Sequence, residues 1–100
     1  MNSIDQIYQD ILDSEVEKVS NYPANELKLF KDYDVILVKE KENIISVGWG
    51  KYKIDENTYH FVYKTSRKVF IFFHKPFLIG LKLTNNKIER MTPEELGNYD

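Results

Sequence analysis

Ile4, Ile7, Tyr8, Ile11, Leu12, Val16 and Val19 recur at the spacing of one helical face, with Gln6, Asp10, Asp13 and Glu17 opposite them. The pattern predicts an amphipathic helix over about 4–19. Ser3 with Gln6 fits a capping box at its start. It should end before Ser20-Asn21-Tyr22-Pro23, because a residue ahead of proline avoids the helical region. Residues 24–31 read two ways. Ala24, Leu27 and Phe30 suit a short helix, Leu27 and Leu29 a strand, and the strands that follow tip the reading to strand.

From Asp34 the period changes to that of strands. Val35-Ile36-Leu37-Val38 is apolar on both faces, the signature of an interior strand. Ile45, Val47 and Trp49 alternate with Ser46 and Gly48, and Tyr59, Phe61 and Tyr63 with His60 and Val62. Val69 to Phe73 is again apolar on both faces, and Phe77, Ile79, Leu81 and Leu83 alternate with Gly80 and Lys82. Turns are expected at Lys41-Glu42-Asn43, Asp55-Glu56-Asn57, Thr65-Ser66-Arg67, Lys75-Pro76 and Asn85-Asn86. The last suits a two-residue hairpin, since Asn tolerates positive φ, and it would set Lys82 opposite Glu89. Strands are thus predicted at about 34–40, 44–53, 58–64, 68–74, 77–84 and 87–91. Thr92-Pro93-Glu94-Glu95 then starts a helical turn at 93–96.

No helical segment separates the strands, so they form sequential hairpins, a meander. The predicted fold is α+β. An N-terminal helix packs on a curved antiparallel sheet of five to seven strands, which the two doubly apolar runs would let curl into a partial barrel. With 100 residues the chain is one domain, 1–100. If the sheet stays open, its second apolar face is available to a partner or to a homodimer.

Composition narrows function mainly by exclusion. There is no cysteine, which removes disulfides, thiolate metal sites and cysteine nucleophiles. No apolar run approaches the roughly 20 residues of a membrane helix, and no secretory signal opens the chain, so a cytoplasmic protein without a membrane partner is expected. The four glycines build neither a P-loop nor a dinucleotide fingerprint. Lys far outnumbers Arg, and Asn and Ile are frequent, as in genes of a low-GC bacterium or its phage. Net charge is −2 but uneven: residues 1–26 are acidic, 51–90 basic and 91–100 acidic.

The candidate chemistry is sparse. His60 and His74, on neighbouring strands, could approach each other, but no third ligand and no nucleophile elbow accompany them. No catalytic residue, metal or cofactor is assigned. Gly48-Trp49-Gly50 suggests a bulge or a close approach. Lys51, Tyr52, Lys53, Tyr59, Tyr63, Lys64, Arg67, Lys68, Phe70, Phe72 and Lys75 would suit a sheet that stacks bases, against an overall pI near 5.7. The sequence therefore reads as a non-catalytic protein–protein interaction module, such as a small inhibitor, immunity or accessory protein acting by steric occlusion. Its anchors would be Trp49, Tyr52, Tyr63 and Arg67, with His60 and His74 nearby. The acidic helix face of Asp10, Asp13 and Glu17 is the alternative interface. A nucleic-acid site over 51–75 and a small-ligand pocket beneath the sheet, beside Trp49 or His60, are the competing readings.

Overall fold

A computed structural model describes residues 4–41, 43–70 and 73–99. Helix α1 (Ile4–Ser20) lies on one face of a five-stranded antiparallel sheet: β1 (Tyr33–Glu40), β2 (Asn43–Asp55), β3 (Thr58–Phe70), β4 (Phe73–Thr84) and β5 (Lys87–Arg90). Strand order follows chain order, and β1 and β5 are the edges, so the sheet is an open meander and not a closed barrel. The one-turn helix α2 (Ala24–Leu27) joins α1 to β1. After β5 come the one-turn helix α3 (Pro93–Leu96) and a 3-10 turn (Gly97–Tyr99).

The hydrophobic periods explain this arrangement. Ile11, Leu12, Val16 and Val19 on α1 are buried against Ile45, Val47, Phe61, Tyr63, Ile79, Leu81 and Leu83, the alternate residues of β2, β3 and β4. The helix ends where Ser20 Oγ and Asn21 Nδ2 both donate to the carbonyl of Glu17, occupying a carbonyl the helix leaves free. Its expected cap, Ser3, lies outside the described residues. Asn85 and Asn86 take φ of 50° and 69°, and Lys82 stands opposite Glu89. Thr92 and Glu95 close a reciprocal capping box at α3.

Several boundaries differ from the sequence reading. Residues 24–27 are helix, not strand: Glu26 and Leu27 donate to the Pro23 carbonyl, and Ala24, Leu27 and Phe30 face the core. The strands expected at 58–64, 68–74 and 77–84 are two long strands instead of three. Thr65, Ser66 and Arg67 pair with Phe77, Pro76 and Lys75, so neither polar stretch turns. Pro76 is tolerated because β5 pairs only with residues 81–84, which leaves β4 outermost at that point and its missing donor without a ladder to break. Of the expected strand 68–74, Ile71 and Phe72 lie outside the described residues, as does Glu42 of the first turn. No bulge falls at Gly48-Trp49-Gly50; the register shifts between Lys53 and Asp55. Finally, Val35–Val38, which reads as interior, lies in edge strand β1. In a meander the first strand has one neighbour however apolar it is.

Charge asymmetry is resolved partly within the molecule. Asp5 of α1 pairs with Arg67 Nη2 at 2.8 Å and with Lys75, and Asp13 pairs with Arg90 at 3.3 Å. The two cations hold the Asp5 carboxyl below its usual range, the Lys75 hydrogen bond most of all. The acidic helix thus docks on the basic strands.

Candidate interaction surface

Strand alternation gives the sheet an inner face under α1 and an outer face. The register aligns the outer residues across strands: Val35, Gly48 and Lys64 in one row, with Leu78 beside Lys64; Leu37 and Ser46 in the next; and Tyr33, Gly50, Val62 and Gly80 in another. The C-terminal segment covers one half of this face. Met91 and Leu96 lie over Gly80, where an added Cβ would stand 2.5 Å from Met91 Sδ and 3.1 Å from the Phe61 carbonyl oxygen. Tyr99 packs on the ring of Tyr52, centroids 4.6 Å apart, and its hydroxyl hydrogen-bonds His60 Nδ1 at 2.8 Å. Lys82 Nζ donates to Glu95 Oε2 at 2.8 Å and ties α3 down. This contact and the Thr92 backbone hydrogen bond hold the Glu95 carboxyl down at about 2. Burial lowers the His60 pKa, with Glu95 opposing and Lys82 assisting.

The other half of the outer face is bare. Tyr33, Val35, Leu37 and Ile44 expose 78%, 61%, 67% and 69% of their surface. Two adjoining hollows lie beside Tyr33 and Val35. One, of about 420 Å³, is bordered by Val35, Ser46, Gly48, Lys64, Pro76 and Leu78. The other, of about 260 Å³, shares Val35, Gly48, Lys64 and Tyr99 and reaches Tyr33 and Tyr52. Together they form a groove with a floor of small residues, largely apolar walls and the Lys64 ammonium.

Gly48 sits in that floor. It has no positive φ, and a Cβ there would meet nothing within 4 Å. Neither turn geometry nor crowding requires glycine, although glycine weakens a strand. Gly80, on the same face, is crowded by the segment above it, and at Gly50 an added Cβ would stand 2.8–2.9 Å from atoms of the Tyr52 side chain.

The residues singled out from sequence are divided by the structure. Trp49 faces inward, against Phe30 and stacked on Tyr63 at 6.1 Å. Tyr63 is 2% exposed, and burial drives its hydroxyl pKa far above the usual tyrosine value. Arg67 is engaged by Asp5. These three serve the fold and offer a partner little surface. Tyr52 and His60 are on the outer face, under Tyr99. His74 is exposed opposite Lys68, eight residues along β3 from His60, so the two histidines are roughly 27 Å apart at ~3.4 Å per residue and do not meet. Among the described residues, no group of three His, Asp or Glu side chains is placed to hold a metal.

The basic–aromatic set over 51–75 is likewise split between the faces. Lys51 Nζ donates to the Lys28 and Phe30 carbonyls, and Lys75 holds Asp5. The side chains of Lys68, Phe70 and Phe72 lie outside the described residues. The space between α1 and the sheet, where a ligand pocket was expected, is filled by Leu12, Val16, Leu27, Phe61 and Tyr63, and the hollow beside Trp49 opens on the other face. Glu17 is exposed on α1, whereas Asp10 borders the cleft towards β1 and accepts from Gln6, and Asp13 accepts from Arg90 of β5.

Sequence reasoning missed Tyr33, Val35, Leu37, Ile44, Gly48 and Leu78 as one surface. Each is ordinary alone, and only the strand register brings them together. The signal available was the doubly apolar run in β1. Among the described residues, no helix is long and apolar enough to cross a membrane. No family model, curated protein or solved structure matches the chain.

Proposed function

We propose that this protein is a non-catalytic binding module and that the groove over Gly48 is its working surface, acting by occluding part of a partner protein. The observation that carries the reading is Gly48: a mid-strand glycine the fold does not need, set where any side chain would fill the groove. The bare apolar residues around it supply the area of an anchor site. The chemistry calls for an apolar side chain in the groove with an acceptor, such as a carboxylate, beside Lys64. Tyr52 borders the groove; the other aromatic and Arg anchors expected from sequence face inward.

The test is capture of a partner from a lysate of the source organism, with and without nuclease, by wild type, Gly48→Tyr and an Asp10→Ala/Asp13→Ala/Glu17→Ala triple variant. A nuclease-resistant protein held by wild type and the triple variant, but not by Gly48→Tyr, supports the groove. Loss only in the triple variant moves the interface to the acidic helix. Material that vanishes with nuclease establishes nucleic-acid binding instead.

A further inference from the structure

The run Val35-Ile36-Leu37-Val38 has the composition of an interior strand and the position of an edge strand. The two edges of the sheet are built differently. β5 has four residues, Lys-Ile-Glu-Arg, and beyond it β4 carries Pro76, so this side resists further pairing. β1 has eight residues, no proline or glycine, and an unshifted register with β2. Its outer residues Val35 and Leu37 are exposed. Its inner residues Ile36 and Val38 are only half-buried, because α1 packs over β3 and β4. A cleft of about 340 Å³ separates α1 from β1, bordered by Ile7, Ile11 and Val38 and by the charged Asp10, Glu15, Lys18 and Glu40. A long edge with an apolar middle, charged only at Asp34 and at Lys39 and Glu40 towards its ends, is a template for another strand.

We propose that β1 pairs antiparallel with β1 of a second copy of this chain, joining the two sheets edge to edge about a two-fold axis. The strand is complementary to itself. Keeping inner face with inner face allows only registers in which paired residues share parity. With the axis through Ile36, Val35 faces Leu37 and Tyr33 faces Lys39 on the outer side, while on the inner side Ile36 faces Ile36 and Asp34 faces Val38. The like-charged pair in this register, Asp32 with Glu40, lies at the strand ends, and Lys51 Nζ already stands 3.9 Å from Asp32. Moving the axis to Leu37 would instead oppose Asp34 and Glu40 within the strand. One local mask exists: Asp34 Oδ1 accepts the Val35 N–H at 2.8 Å, and it swings aside when the second strand arrives. Pairing makes β1 the interior strand that its sequence describes.

The experiment is sedimentation equilibrium of the full chain from low to several hundred micromolar. Wild type should reach twice the 11.9 kDa of one chain. Val35→Lys with Leu37→Lys changes two exposed positions and sets cation opposite cation on both sides of the axis. It should return the mass to that of one chain with an unchanged circular dichroism spectrum. The chain lacks cysteine, so Ile36→Cys gives a second readout: oxidation should link two copies through that position, and Lys53→Cys should not. Gly48→Tyr should leave the dimer intact, so failure of the groove reading and failure of this one are seen separately. A wild type that stays at single-chain mass throughout overturns the proposal. So does a dimer that persists in the double lysine variant.

Discussion

Replacing Gly48 with valine should make the protein more stable. Two contributions set the size. Glycine in a strand interior costs roughly 0.5–1 kcal/mol relative to alanine through lost backbone entropy. A β-branched side chain adds part of a propensity range of about 1 kcal/mol. The Cβ itself adds no clash, since at position 48 it meets no atom within 4 Å, and the residue has no positive φ. The net expectation is about 1 kcal/mol, which for a domain of this size raises the Tm by about 4–8 °C. Thermal denaturation followed by circular dichroism, with wild type and variant in one buffer, measures it. A Tm equal to or below that of wild type would refute the reasoning, because it would mean that the backbone at Gly48 requires glycine. The groove would then lose its main support, a glycine kept for a reason other than folding.

Other predictions address the segment that covers the rest of the outer face. Gly80→Ala should behave oppositely to Gly48→Val and lose about 1–3 kcal/mol by overpacking, since its Cβ would press on Met91 and on the Phe61 carbonyl; the same melting experiment reads it. Glu95, with an ordinary value of 4.5, is held at about 2 by Lys82 and Thr92. A depressed carboxylate stabilises above its unfolded value, so its hold on α3 should be complete above pH 4.5 and fade as pH falls towards 2, read as loss of the Tyr99 contacts by NMR. His60 should titrate below 6.5, chiefly through burial. Its neutral form therefore supports the fold fully above that pH, and the contribution is lost as pH drops through the lowered value; imidazole NMR shifts follow it.

Much of the fold was legible in the sequence because α1 and the alternating strands bury one side each, and burial of one side writes a period into the chain. The hairpin at Asn85-Asn86 and the cap at Thr92 were legible because each depends on a few adjacent residues. The merged strands were not. Thr65-Ser66-Arg67 and Lys75-Pro76 look like turns, yet they lie opposite each other in one long hairpin, and each is extended because the other is. The candidate surface was hidden for a related reason. Trp49, Tyr63 and Arg67 belong to residue types that dominate interfaces, but they share parity with the core face. The outer-face groove is assembled from Val35, Gly48, Lys64 and Leu78 on four different strands, which alternation alone does not align.

The most direct measurement of the central claim is site-specific photocrosslinking in cells of the source organism, with a photoreactive amino acid placed singly at positions 33, 37, 13 and 17. The account predicts a discrete adduct to a protein other than this chain from positions 33 and 37, on the groove's rim and beside it, and none from positions 13 and 17 on α1. Adducts only from the α1 positions, or only a nuclease-sensitive product from the groove, would contradict it.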